Sequence, residues 1–265
     1  MTNAIDEVNL RTMRSASAVK HYSHRDDLSA PEQASLDAVA EAARGKPILD
    51  IGVGGGRTVK PLLEVSTNYL GVDNSQEMIE ACQRRFPGVK LALADARQMG
   101  NIADGSIHLV MFSCNGIGMV SHEDRLAIMR EVFRVLEPGG VFLFSTHNQS
   151  CPDHTAGFQF PPFSFTANPV RLAVRTLRFL AHTPVRLYNR QRFIRHEIRT
   201  PTYSVINDVC HNYGTMLYYI SLAHQREQLV AMGFEPGAVA YDLDGHVITG
   251  SSDHSSMAFI ARKPL

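Results

Sequence analysis

Pro47-Ile48-Leu49-Asp50-Ile51-Gly52-Val53-Gly54-Gly55-Gly56 decides the architecture. Ile48 to Ile51 is a short apolar run, the mark of a strand buried on both faces of a parallel sheet. The glycines that follow cannot continue a strand, and Val59, Leu62 and Leu63 then share one side of a helix. Strand, glycine turn and helix make the opening of a βα unit.

Working outward, the same alternation repeats. Upstream, Ser29 with Glu32 forms a capping box and Pro31 suits a first helical turn. Leu36, Val39, Ala40 and Ala43 then give that helix its apolar stripe, and Gly45 ends it. Downstream, Tyr69 to Asp73 predicts a second strand, Lys90 to Asp95 a third, His108 to Ser113 a fourth and Val141 to Ser145 a fifth. Helices lie between them, the last capped by Ser121 and Asp124 and broken by Pro138-Gly139-Gly140. Five strands alternating with helices predict an α/β fold of the Rossmann-like, doubly wound kind, with a mostly parallel sheet. After Asn148 the rhythm changes, and residues 150–217 are expected to be an inserted lid on a single domain spanning 1–265. A helix from Ser221 to Met232 and two closing strands, Ala238 to Leu243 and Met257 to Arg262, follow. Residues 1–28 show little periodicity, and their first dozen are expected to be mobile.

The whole-chain numbers exclude several classes. The 265 residues suit one elaborated domain, and 26 basic against 26 acidic residues give zero net charge. That balance argues against nucleic acid and against a membrane surface. No apolar stretch is long enough to span a bilayer, and Met1 to Leu10 lacks the basic end and apolar run of a signal peptide. Cys82, Cys114, Cys151 and Cys210 have no paired spacing, so they read as reduced thiols of a cytoplasmic protein. The histidine pairs His21/His24 and His147/His154 have no carboxylate at ligand spacing, and no metal is expected.

Ligands of open α/β sheets bind beyond the carboxyl ends of the strands, which selects Asp50 to Gly56, Asp73, Asp95, Ser113 to Gly118 and Thr146 to Asn148. Asp73 can accept both hydrogen bonds of a ribose diol. Asp95 can accept from an adenine amino group, and the N–H of Ala96 can donate to a ring nitrogen. A dinucleotide fingerprint would need a third glycine where Arg57 stands.

These residues resemble the class I S-adenosylmethionine-dependent methyltransferases. Leu49 to Gly56 matches their first motif, Asp73 their ribose acid and Asp95 their adenine-side acid. Asn115-Gly116-Ile117 and Glu137-Pro138-Gly139-Gly140 are similar to their later motifs. The resemblance covers residues 28–148 well and 218–265 in outline, and it implies a seven-stranded sheet with an antiparallel last strand. It also implies S-adenosylmethionine held by Tyr22, Asp50, Gly52, Gly54, Asp73, Asn74, Asp95, Ala96 and Ser113, with residues 1–28 folding over it. The implied activity is methyl transfer to an N, O or S atom of a small molecule. Three rivals are transfer or cyclisation of the aminocarboxypropyl arm of the same cofactor, methylation of RNA, and a non-enzymatic cofactor-binding protein, which would hardly need so long a lid.

Plainer structural roles stand beside these. Asp50 could brace its own loop, Arg57 could pair with the cofactor's carboxylate or equally be a surface side chain, and Cys114 reads as a small buried filler. Gly56 is expected to accept alanine at little cost. For the acceptor side, Asn148 comes first, then Tyr213 and Tyr218, with His147 and His211 behind them. From Phe165 to Thr200 eight arginines face one acid, Glu197, a run suited to an anionic acceptor, to RNA phosphates or to a solvated helix face.

Overall fold

The computed structural model describes residues 4–23, 27–152 and 157–265. His24 and His154 lie outside them. The elements in chain order are α1 (Ala4–Met13), α2 (Ala16–Tyr22), α3 (Ala30–Ala43), β1 (Ile48–Ile51), α4 (Val59–Val65), β2 (Tyr69–Asp73), α5 (Gln76–Arg85) and β3 (Leu91–Leu93). Then come β4 (Ile107–Phe112), α6 (His122–Val135), β5 (Leu136–Asn148), α7 (Pro169–Phe193), β6 (Ile198–Arg199), β7 (Tyr203–Asp208) and the one-turn α8 (Cys210–Tyr213). The chain closes with β8 (Thr215–Ile220), α9 (Leu222–Ala231), β9 (Val239–Tyr241) and β10 (Ser256–Arg262).

The sheet runs β3-β2-β1-β4-β5, all parallel, and branches at β5. Along residues 141–147, β5 pairs with antiparallel β10, which in turn pairs with β9. These seven strands make the sheet expected from the sequence, with the antiparallel closing strand. At the end of β5, His147 and Asn148 pair instead with Tyr219 and Ile220 of β8, and β7 and β6 extend that branch. Three strands of the expected lid, or their larger part, are therefore sheet. Their alternating β-branched and aromatic residues, Tyr203 to Ile206 and Thr215 to Ile220, favour pleated pairing. The Pro138-Gly139-Gly140 break is absorbed within β5 as an irregularity, Gly139 taking φ +75° while the register against β4 shifts.

Apolar layers pack on both faces. Ile128, Met129 and Val132 of α6 with Leu229 of α9 meet Leu49, Val110, Phe142 and Phe259. On the other face Leu36 and Val39 of α3 with Leu62 of α4 meet Ile48, Leu109, Leu143 and Ile260. A smaller cluster corrects the reading of the N-terminus as mobile: Ile5 and Val8, one helical turn apart, are buried on Phe193, Val205, Met216 and Tyr218. Asn9 fixes the docking, its amide donating to the carbonyls of Met119 and Met216 at 2.7 Å and its oxygen accepting from the Met216 N–H. The first helix is thereby held against the inserted β7–β8 hairpin.

Candidate functional site

A cleft opens at the carboxyl ends of β1, β2 and β4, where the strand order reverses. Gly52 to Gly55, Asp73, Asn74, Asp95, Ala96 and Ser113 form its floor, while Asp6, Asn9 and Met13 of α1 and Tyr22 of α2 close over it.

The glycines differ in what they do. A Cβ on Gly54, at φ +55°, would meet nothing closer than the Gly52 carbonyl at 3.8 Å, so this backbone faces open cleft. At Gly52 a Cβ would come within 2.8 Å of the Phe112 ring, and at Gly55 within 2.6 Å of the Ser23 backbone. Gly56 corrects the expectation that alanine is harmless there. Its φ is +90° and a Cβ would lie 2.7 Å from Phe86 and 2.9 Å from the Cys82 sulfur.

The Asp73 carboxylate accepts the N–H of Gly54 and the N–H of Ser75, both at 2.9 Å. Burial pushes its carboxyl up, opposed by those same donors. It therefore fixes the glycine loop and still presents lone pairs to the cleft. Asp95 accepts a forked pair of bonds from Arg97, which outweigh its burial and hold it below the usual carboxylate value. The same guanidinium reaches Asp6 on α1 and Asp124 on α6. Burial, then the neighbouring Asp124, raises the Asp6 carboxyl to about 6. Arg97 is thus the hub that ties α1 and α6 to Asp95.

Asp50 is not at the cleft. It is fully buried behind the loop, accepting from Tyr69 at 2.7 Å and from Thr58, and burial lifts its carboxyl to about 6. Here the bracing role is the one the geometry shows. Arg57, too, is no surface side chain. It pairs with Glu32 through both terminal nitrogens at 2.7 Å, and Glu32 also accepts the N–H groups of Ser29 and Cys114. Glu32 so links α3, the glycine loop and the turn after β4. Burial would raise its carboxyl, but Arg57 prevails and holds it at about 2.

On the acceptor side, none of the first three candidates lines the cleft. Asn148 is buried with its amide donating to the carbonyls of Ser252 and His254 and its oxygen accepting from Ser150, so it anchors the end of β5. The Tyr218 hydroxyl meets His122 Nδ1 at 2.8 Å, with the buried Arg125 guanidinium over its ring. Tyr213 receives the Gln159 N–H and stacks on Phe158. Tandem hydrophobic burial of β8 and the turn before it accounts for both tyrosines. His147 is half-buried and stacked on Tyr219, and desolvation lowers its pKa to about 4. His211 is different: its Nε2 lies 3.5 Å from the hydroxyl of Tyr22, a cleft residue. Three successive left-handed residues, His211, Asn212 and Tyr213, produce that approach. Burial, then nearby His21, lowers the His211 pKa, keeping it neutral at pH 7.

Sequence reasoning missed Asp6, Asn9, Met13 and Arg97. The signal for the first three was the Ile5–Val8 spacing, which Asp6, Asn9 and Met13 adjoin on the next face of α1.

Residues 48–140 match the methyltransferase-domain family. Over these residues the chain is similar to S-adenosylmethionine-dependent methyltransferases. A probable S-adenosylmethionine-dependent methyltransferase of Mycolicibacterium smegmatis is 28% identical over 112 residues, 42% of either chain. The demethylmenaquinone methyltransferase of Chlorobaculum parvum is 32% identical over 101 residues, 38% of this chain and 40% of that one. The chain spans about half the length, or less, of such curated relatives. Among solved structures, a Thermotoga maritima methyltransferase described as a possible histamine N-methyltransferase superposes with a TM-score of 0.56 at 16% identity, covering 98% of this chain and 99% of that one. The matched residues hold β1 to β4, the start of β5 and the glycine loop, while the superposed structure covers nearly the whole chain.

Proposed function

We propose that this protein transfers a methyl group from S-adenosylmethionine to an N, O or S atom of a small molecule. The observation that carries the reading is the open cleft above Gly54, flanked by the oriented carboxylate of Asp73 and by Asp95 with Ala96. Such a cleft fits the cofactor: Asp73 would accept from the ribose diol, Asp95 and Ala96 would meet the adenine edge, and the Gly52–Gly54 backbone would lie along the amino-acid arm. When bound, the sulfonium supplies a methyl carbon already activated for in-line displacement.

The protein's part is alignment and exclusion of water, which proximity makes worth roughly 7 to 11 kcal/mol at best. Residues of α1 and α2 close the cleft from the N-terminal side, with the β7–β8 hairpin packed behind α1. We assign the insertion 150–217 to the acceptor side and His211 as the base, its Nε2 lying 3.5 Å from the hydroxyl of the cleft residue Tyr22. Its neutral imidazole can take the proton of a hydroxyl or ammonium nucleophile. The names of the relatives, a demethylmenaquinone and a possible histamine methyltransferase, support a small acceptor.

Among the described residues no helix is long and apolar enough to cross a membrane, and all four cysteines are free thiols. Both features support placing the enzyme in the cytoplasm.

The test is product analysis by mass spectrometry after incubation with S-adenosylmethionine and a panel of amines, phenols and acids. S-adenosylhomocysteine together with a methylated acceptor is expected. Methylthioadenosine would show that the aminocarboxypropyl arm is attacked, and turnover on RNA alone would replace the small acceptor.

A further inference from the structure

The helix α7 faces the wrong way for a core element. Its 3.6-residue period puts Val170, Val174, Leu177, Ala181, Val185 and Tyr188 in one stripe. That stripe points outward: Val170 is 71% exposed, Leu177 66% and Tyr188 61%. The opposite stripe, turned toward the protein, holds Arg175, Phe179, Arg186, Arg190 and Phe193. Phe165, just before the helix, adds an 87% exposed ring on the same segment.

The six arginines of α7 divide by role. Arg175 donates to the Ser164 carbonyl, Arg186 to Asn212 and the Gln159 carbonyl, and Arg190 to Glu197 and the Asn207 carbonyl. These three tie the helix to its own chain. Arg171 and Arg178 are exposed along one edge of the apolar stripe, Arg192 is exposed at its end, one turn beyond Tyr188, and α7 has no acidic residue.

We infer that the outer face of α7 docks onto the surface of an anionic phospholipid bilayer. An apolar stripe edged by arginines is the pattern of a helix lying in the interface plane, its aliphatic side among acyl chains and its cations at headgroup phosphates. Charge selects this occupant over a second copy of the chain. Self-association through this face would set the three exposed arginines of one α7 against the three of another, with no carboxylate on either helix. The neutral total, which argues against a membrane surface for the chain as a whole, hides this local excess.

The experiment is flotation of the full-length protein with vesicles of phosphatidylcholine and phosphatidylglycerol in equal parts, against phosphatidylcholine alone. Binding to the anionic vesicles only is expected, weakening as salt is raised. Leu177→Glu with Tyr188→Glu should lower affinity at least about tenfold. Changing Arg171, Arg178 or Arg192 to glutamine should lower it about fivefold each. Thermal melting and S-adenosylhomocysteine binding report that the variants are folded; the arginine variants, made on an exposed edge, keep the test independent of any folding defect in the glutamate pair. Failure of the folded protein to float, or equal flotation of the arginine variants, overturns the proposal. So does a sedimenting dimer that Leu177→Glu dissociates in the absence of vesicle binding.

Discussion

Replacing Glu32 by glutamine tests how the glycine loop is held. Glu32 accepts from both terminal nitrogens of Arg57 at 2.7 Å, from the Ser29 N–H and hydroxyl, and from the Cys114 N–H at 2.9 Å. Glutamine would leave the Arg57 guanidinium buried, 8% exposed, with no counter-charge and with an amide donor aimed at other donors. Removing one partner of a buried pair costs about 3 to 5 kcal/mol. Linkage gives a similar figure. A carboxyl held at about 2 against an ordinary 4.5 corresponds to on the order of 3 kcal/mol, at about 1.4 kcal/mol per pH unit. Because the folded pKa is the lower one, that stability is present above pH 4.5 and is lost as pH falls toward 2. Denaturant unfolding of Glu32→Gln at pH 7 should therefore show the loss, with Tm down by roughly 6 to 10 °C for a chain of this size. The difference from wild type should shrink as pH drops from 5 to 3. Adding Arg57→Met to Glu32→Gln should recover part of it, since the orphaned charge is gone. A loss below about 1 kcal/mol at pH 7, or a difference that does not narrow in acid, would refute the assignment of this pair as the clamp.

Asp73→Ala should weaken S-adenosylhomocysteine binding at least about tenfold in calorimetry, since it removes a ribose acceptor worth roughly 1.5 to 3 kcal/mol per charged bond and releases the Gly54 N–H. Gly54→Val should abolish that binding. Gly56→Ala should instead cost stability, about 1 to 3 kcal/mol by thermal unfolding, because its Cβ meets Phe86 and Cys82. His211→Gln should remove the acidic limb of the kcat/KM profile, which in wild type rises through a pKa below the ordinary imidazole value as the ring loses its proton; an unchanged profile would unseat His211 as base. Asn148→Ala should lower stability by about 1 to 3 kcal/mol while leaving kcat nearly unchanged, because its bonds go to Ser252, His254 and Ser150.

Local pattern is enough for the features that local geometry controls. A four-residue apolar run followed by glycines can only be a buried strand turning into a helix, and acids ending successive strands sit at the same edge of the sheet whatever the rest of the chain does. The glycine loop, Asp73 and Asp95 were legible for that reason, while the antiparallel direction of the closing strand came only from the family resemblance. Tertiary packing decided the rest, because direction is not a local property. Asp50 and Gly54 are four residues apart, yet one points behind the loop and the other into the cleft, according to where Tyr69 and Thr58 stand. His211 reaches Tyr22 across 189 residues of chain, through a left-handed turn that no spacing announces. The periodicity of α7 shows that the helix has an apolar face and an arginine-bearing face. Which of them turns outward depends on partners distant in sequence: Asn212, Asn207 and the Gln159 carbonyl satisfy the guanidinium groups of the inner face, leaving the valines and leucines to the surface.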